Sequence, residues 1–475
     1  MCSVVDGWFS SLVCFTRMRT RQMKSSWTLA FAGVCSCGIL YICYAVSWNA
    51  NIPKMAYLPE LPPQLKKTTG YDIWPSFQVP VNEQDEQDWF QQRCLPFSVK
   101  ISIANLGSIL SHWAKTSDEK CRKLLVAFNT LYSVSTRNAS LILPDPFQVK
   151  VKKWLGNNEE LFKEVYHQEI IHVVNRFTRE HTIFNPLRDK RPVLPPDEPE
   201  ADYYENILKE TKKSCDFCNF KSYTAEHLFH RVENEHAFSM SNTFKVDTLH
   251  ALIAMKQHDP LRWSAESYMG LMNLTLAWFQ KAHRSFPSAR FPSLIWDVLP
   301  KCGASQVHPH LHGFLDPERY HGVVEAWRLG AQDYFTTTGT NFYTDMARLS
   351  ASLGLAVTHK SAVAFASLVP RKDHEVVIMA PTAGKDFFEM VYFVLRAFAD
   401  DLHKYCFSMG LAYPALDGLE ALIPAYARII TRGVVTDVRA DMSSLELFAA
   451  TNVNIDPFEV TELVRKSAKM RRKVF

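Results

Sequence analysis

The pentapeptide His308-Pro-His-Leu-His312 constrains this chain more than any other stretch. Side chains two apart on an extended backbone point the same way, so the three imidazoles line one face of a strand or strand end. Pro309 donates no ladder hydrogen bond, which restricts such a strand to an edge or a terminus. Imidazoles held side by side resist joint protonation and need partners. One ring nitrogen can attack or ligate while the other donates its proton to an orienting acceptor. The pattern predicts metal binding or nucleophilic catalysis. Just upstream, Gly303-Ala-Ser305-Gln306 offers small side chains, backbone N–H groups and a hydroxyl that can approach phosphate oxygens.

Metal has a second sequence signal. Cys215-Asp-Phe-Cys218 places two thiols at the short spacing that wraps zinc, and tetrahedral closure needs two further ligands. His258, at the end of an expected strand, and His308 complete a Cys2His2 set, a closed structural site that leaves His310 free for chemistry. The competing reading is a buried thiol pair or a disulfide beside two unrelated histidines. His227, His230 and His236 lie closer to the cysteine pair, yet Glu226-His-Leu-Phe-His230 lacks the zincin spacing. The chain has 11 cysteines in all. Outside the amino-terminal region, Cys94 and Cys121 are able to pair in an oxidising compartment.

Residues 27–48 contain no charged side chain and are long enough to cross a bilayer as a helix. Trp27, Tyr44 and Trp48 sit near the ends, where amphipathic rings prefer the interface, and Arg17, Arg19, Arg21 and Lys24 precede the segment. The expected product is a single-pass type II membrane protein of the ER or Golgi with a lumenal domain. A long cleaved signal peptide and an Arg-rich mitochondrial presequence are the competing readings. The sequons Asn138-Ala-Ser140 and Asn273-Leu-Thr275 are compatible with a lumenal chain.

Punctuation by proline gives the rest of the organisation. The expected units are a cytosolic tail (1–26), the signal anchor (27–48), a Pro-rich stem (49–85) and a helical region (86–180). Two α+β units follow (181–345 and 346–468), then a solvated basic tail (469–475). Apolar spacing predicts helices across 101–113, 124–131 and 161–174, a long helix from 265 to 284, and another from 386 to 409. Strands are expected at 248–255, 293–298 and, as a pair, within 362–379. Strand, turn with His, strand, then amphipathic helix occurs twice, which suggests an internal duplication and an α+β class with helices packed on antiparallel sheets. With 53 basic against 49 acidic residues in 475, a net charge of +4 is too small to predict nucleic acid as a partner.

The residues from Gly303 to His312, with the Cys-x-x-Cys pair, His258 and the entry Phe184-Asn-Pro-Leu-Arg-Asp-Lys-Arg-Pro192, resemble the galactose-1-phosphate uridylyltransferase branch of the histidine triad superfamily. The resemblance covers about residues 183–468 and includes Leu368-Val-Pro-Arg-Lys-Asp-His374, Leu447-Phe-Ala449 and Asn454-Ile-Asp-Pro457. It implies two tandem histidine-triad-like halves and a nucleotidyltransferase. His310 would attack the α-phosphorus of a nucleotide sugar or related nucleoside diphosphate compound, and a sugar phosphate or phosphate would then accept the nucleotidyl group. It further implies one structural zinc on Cys215, Cys218, His258 and His308, and phosphate or nucleotide contacts from Gly303, Ser305, Gln306 and Asn242. A homodimer is also implied.

Two departures stand out. Uridylyltransferases carry Gln where this chain has His312, whereas the superfamily's hydrolases carry His, so hydrolysis or phosphorolysis at the same site is the alternative, with His312 as a second catalytic group. The second half lacks a His-x-His pair in Ala425-Tyr-Ala-Arg428-Ile-Ile-Thr-Arg432, so no second metal is expected, and Arg428 and Arg432 are candidates for phosphate contact or plain surface charge. A third reading is a zinc-stabilised binding module without turnover.

Overall fold

The computed structural model describes residues 76–475 apart from 97–98, 191–197, 419–422 and 438–443. The expected anchor at 27–48 lies outside the described residues, and among those described no helix is long and apolar enough to cross a membrane. Runs rich in β-branched and aromatic residues form β1 (Tyr132–Ser140), β2 (His167–Asn175), β3 (His181–Phe184), β4 (Ala237–Ser241), β5 (His250–Met255), β6 (Phe291–Asp297) and β7 (His310–Asp316). They continue with β8 (Ala356–His359), β9 (Ala362–Ala366), β10 (Val376–Ala380), β11 (Phe407–Ala412), β12 (Ala425–Thr431) and β13 (Ala450–Val453).

Nine of these strands make one sheet in the order β4-β5-β7-β6-β11-β12-β10-β9-β8. The order shows the duplication. Read inward, the first half runs β4, β5, β7, β6 and the second, inside the extra rim strand β8, runs β9, β10, β12, β11, each with a helix inserted after the second of these strands. The halves meet where β6 pairs antiparallel with β11, placing Ile295 opposite Gly410 and Asp297 opposite Ser408. The two halves thus share one continuous sheet.

The inserted helices occupy one face of that sheet. In the helix Ala265–Ser285, Ser264 caps the amino terminus by accepting from the Ser267 N–H. Tyr268, Leu271, Met272, Thr275, Trp278 and Phe279 recur at three- and four-residue steps and are buried against β4, β5 and β7. Its counterpart, Lys385–Arg396, is buried from Phe387 onward and packs on β9, β10 and β12. The expected helix over 386–409 stops far short of 409. Arg396 and Arg471 hold Asp400, Arg471 also grips Asp401 at 2.8 Å, and the chain then turns into β11. The last helix runs Pro457–Arg471; of residues 469–475 only Arg471 and Phe475 are half-buried, Phe475 against Tyr392 with ring centroids 5.2 Å apart, while Lys469, Arg472 and Lys473 are exposed as expected.

The region expected to be helical is interrupted by two strands. Helices Glu83–Cys94, Leu106–Trp113 and Glu119–Leu131 pack around Phe90, Trp113 and Phe128 and are tied by a Cys94–Cys121 disulfide. After them the chain enters β1 and, from 167, β2, which pair antiparallel along their full length. The β-branched run Ile170-Ile-His-Val-Val174 turns Ile171 and Val173 inward, a period of two that overrides the weaker helical spacing. With β3 and β13 these strands form a second sheet, in the order β1-β2-β3-β13.

A buried ion triad joins the two sheets. Arg428 on β12 reaches Glu180, between β2 and β3, and Glu375 at 2.6 Å, ahead of β10; the indole of Trp327 donates to Glu180 at 2.9 Å. Arg428 is therefore neither a phosphate contact nor a surface charge. Burial raises the Glu375 carboxyl above its ordinary range even though Arg428 opposes the shift. Replacing Arg428 by Leu would leave two carboxylates buried side by side, so we expect a loss of about 3–5 kcal/mol in denaturant-melt stability. A loss under about 1 kcal/mol would show that the triad is not what docks the small sheet.

Candidate active site and metal centre

Three separate segments bring four ligating atoms together. The helix Glu200–Lys212 ends just before the tight turn that holds Cys215 and Cys218; His258 follows β5; His308 precedes β7. Cys215 Sγ lies 3.5 Å from His308 Nδ1, Cys218 Sγ lies 3.7 Å from the same atom, and Cys218 Sγ is 3.5 Å from His258 Nδ1. All four ligand atoms fall within 4.8 Å of one another. Zinc bonds of about 2.0–2.1 Å to nitrogen and 2.3 Å to sulfur give tetrahedral edges of about 3.5 Å, which the three sulfur–nitrogen separations match. The other ring nitrogens are already used. His308 Nε2 donates to the Met255 carbonyl at 2.6 Å and His258 Nε2 lies 3.2 Å from the Thr211 hydroxyl, the outer-shell arrangement that presents Nδ1 lone pairs to a metal.

His310 opens β7 with Pro309 immediately before it, so the proline sits at the strand's terminus although β7 itself is central. Its Nδ1–H donates to the carbonyl of His308 at 2.7 Å. That bond fixes the tautomer and leaves Nε2 as a lone-pair donor. Burial pushes the imidazole down to about 4, against an opposing contribution from the carbonyl bond. The ring is thus neutral near pH 7, and the Phe217 ring, 5.3 Å away and edge-on, walls one side of it.

His312, two residues on, belongs to a relay that the sequence did not reveal. The backbone N–H of Val246 donates to His250 Nδ1 at 3.1 Å, and His250 Nε2 lies 3.0 Å from His312 Nδ1. A neutral His250 that accepts at Nδ1 carries its proton on Nε2 and gives it to His312 Nδ1. His312 consequently presents an Nε2–H, a hydrogen-bond donor, where His310 presents a lone pair.

The sheet face bearing these rings is open at its centre. Ile295, paired with His312 across β6 and β7, is 41% exposed in the middle of the large sheet. Its partner on the other side, Gly410, has no atom within 4 Å of where a Cβ would stand. The opposite face is closed: a Cβ on Gly313 would meet Leu294, Ile253 and Trp278 between 3.4 and 3.6 Å. Along the rim of the open strip, the Ser408 hydroxyl donates to Asp297 at 2.5 Å, and Arg432 contacts that hydroxyl at 3.0 Å and the Cys302 carbonyl at 3.2 Å. Gly303 takes φ of +112°, a backbone state that glycine alone adopts without strain. A disulfide from Cys302 to Cys406 ties this turn to the segment entering β11.

The structure brings Cys215, Cys218, His258 and His308 into one cluster, with His310 and His312 beside it on β7. Ser305 is exposed and Gln306 half-buried on the loop that leads to His308. Asn242 is farther back: its amide oxygen caps the Phe244 N–H at 2.9 Å and its nitrogen lies 3.2 Å from His250, so it borders the relay. His227 takes no part in the metal cluster and stacks on Phe229 with centroids 4.8 Å apart. His250, Asp297 and Ser408 escaped sequence reasoning. The spacing of His250 and Ser408 from the triad is set by strand pairing, and only Asp297, eight residues before Ser305, has a local signal in its position at the end of a strand.

No protein-family model and no curated protein matches the chain. Among solved structures it resembles an ADP-glucose phosphorylase from Arabidopsis thaliana with bound ADP-glucose, 16% identical over 62% of this chain and 99% of that one, with a TM-score of 0.49. It also resembles a GalT-like protein from Arabidopsis thaliana (15% identical, 54% of this chain, 92% of that one, TM-score 0.44). A third is a uridylyltransferase (13%, 62% and 98%, TM-score 0.44). What this chain does has to be read from its own side chains.

The donor geometry makes a stoichiometric prediction. Elemental analysis of the purified chain should find about one zinc per molecule. Cys218→Ser and His258→Ala should each empty the site and lower the thermal midpoint by several degrees, while His227→Ala should leave the metal content unchanged. A Cys215–Cys218 disulfide in metal-free, fully folded protein would contradict the assignment.

Proposed function

We propose that the chain is a nucleotidyltransferase acting on a nucleotide sugar or related nucleoside diphosphate compound through a covalent nucleotidyl intermediate on His310. The observation that carries this reading is the neutral, buried His310 ring, pinned through Nδ1–H to the His308 carbonyl, which leaves the lone pair on Nε2. Such an imidazole attacks without losing a proton first. Its Nε2 forms a bond to the α-phosphorus as the phosphorus–oxygen bond to the leaving phosphate breaks. The ring gains positive charge in that step, and the His308 carbonyl, already receiving its Nδ1–H, favours that charge. A phosphate or sugar phosphate then attacks the phosphorus and the phosphorus–nitrogen bond breaks, returning the neutral ring.

The other groups have roles consistent with their places. In the turn before His308 the Gly303 and Ala304 N–H groups are spent on the Pro300 and Leu299 carbonyls, which leaves the Ser305 and Gln306 N–H groups and the Ser305 hydroxyl for non-bridging phosphate oxygens. His312 Nε2–H is oriented by His250 to donate to a phosphate oxygen or to the departing one. Cys215, Cys218, His258 and His308 would hold zinc, whose chemical contribution is to fix the position of His308. The carbonyl that orients His310 belongs to this same residue, so the metal would act on catalysis through geometry.

Release to water or inorganic phosphate is the second reading, and one observation favours it. The relay gives His312 a fixed donor where a departing oxygen needs a proton, which serves hydrolysis or phosphorolysis as well as transfer. We place the catalytic domain in the lumen of the secretory pathway behind the uncharged segment 27–48. Support comes from the cysteines: among the described residues, four form the disulfides Cys94–Cys121 and Cys302–Cys406, and the remaining two are those at the metal cluster. That usage fits an oxidising compartment.

Intact-mass measurement after incubation with a panel of nucleotide sugars and dinucleoside polyphosphates tests the proposal. The expected result is an adduct of one nucleotide on the wild type and none on His310→Ala. His312→Ala should still form the adduct, with turnover lowered by about 10²–10⁴-fold. An adduct that survives His310→Ala would remove His310 from the reaction.

A further inference from the structure

We propose that Asn138 is an N-glycosylation site whose glycan shields the free edge of the four-stranded sheet. This rests on the lumenal placement of the domain inferred above. Strand β1 starts in the core at Tyr132 and then leaves it: every residue from Ser135 to Ser140 is exposed. β1 stands at the end of its sheet, and among the described residues it pairs only with β2. Its outer side is a row of unpaired backbone N–H and C=O groups, a template for pairing with another chain.

Edges of this kind are usually blunted by charge, proline or a covering element. In β1 the exposed stretch Ser135-Thr-Arg-Asn-Ala-Ser140 has a single charge, Arg137, and no proline. It has instead the sequon Asn138-Ala-Ser140 at the exposed end of the strand. Asn138 faces Glu169 across the ladder. A bulky hydrophilic group on the Asn138 amide projects from a segment that buries none of its side chains, so the fold accommodates it without rearrangement.

The second sequon is placed differently. Asn273 is exposed on the long helix, but Thr275 is fully buried, with its hydroxyl bonded to the Met272 carbonyl at 2.7 Å and lying 3.2 Å from the Tyr413 hydroxyl. Asn273 also lies mid-helix, where no edge needs cover. The modification at Asn138 consumes a lipid-linked oligosaccharide diphosphate. A bond forms from Asn138 Nδ2 to the anomeric carbon, the bond from that carbon to the diphosphate oxygen breaks, one amide proton is released, and the lipid diphosphate departs.

The test uses the full chain expressed in cells with a secretory pathway, digested with peptide N-glycosidase and read as gel mobility. Protease protection in isolated microsomes is measured on the same material. The expected result is a protected domain with a mobility step that both Asn138→Gln and Ser140→Ala abolish and Asn273→Gln does not. The Asn138→Gln protein should also aggregate more readily than wild type. A protected domain without the step, or a step lost only in Asn273→Gln, overturns the site while leaving the lumenal placement standing. A domain digested in intact microsomes overturns both.

Discussion

The bond from His310 Nδ1 to the carbonyl of His308 is the constraint on which the candidate chemistry depends. It settles which nitrogen of His310 keeps a lone pair, and it comes from a residue whose own ring lies against the cysteine pair. His308 is therefore shared: its ring lies in the Cys2His2 cluster and its carbonyl holds His310, the proposed nucleophile. Any group that fixes the ring also fixes the carbonyl. In the proposed reading the three alternating histidines take three roles, ligand, nucleophile and donor, and the difference lies in what each one's second nitrogen touches. For His308 that is the Met255 carbonyl, for His310 the His308 carbonyl, and for His312 the relay through His250.

Among the described residues only one half carries such a cluster, and the duplicated sheet explains why. β12 occupies in the second half the place that β7 holds in the first, flanked by β10 and β11 as β7 is by β5 and β6. Where β7 exposes His312 beside an open strip, β12 presents Arg428, buried between Glu180 and Glu375 and beneath Trp327, 5.6 Å from the indole ring. The second half has used that position to dock the small sheet. What it gives to the open strip comes from β11 and the residue just past β12: the space above Gly410, the Ser408 hydroxyl and Arg432.

Much of this was legible in the sequence because the signals are local. Alternation placed His310 and His312 on one strand face, with His308 just before the strand, Cys215 and Cys218 marked their own turn, and the repeated order of strands and helix announced the duplication. The metal set joins segments over 40 residues apart, yet it was recoverable because zinc chemistry restricts ligand type and number. What was missed depends on tertiary pairing. His250 gains meaning only when β5 lies against β7, and Cys302 and Cys406 meet only because β6 and β11 join the halves. The strand character of residues 167–175 was hidden because β-branched residues also fit a helical apolar spacing until a partner strand decides between them. Among the basic carboxy-terminal residues Arg471 is the one whose ion pairs were hidden, because Asp400 and Asp401, its partners, are about 70 residues away.

The central claim concerns one atom, and phosphorus NMR of the trapped, denatured nucleotidyl-enzyme addresses it directly. Because Nδ1 of His310 is spent on the His308 carbonyl, the account predicts a single phosphoramidate with the chemical shift and hydrolysis behaviour of an Nε2-linked histidine, absent in His310→Ala. A phosphoramidate on Nδ1, or a nucleotide bound through an oxygen or sulfur side chain, would contradict it.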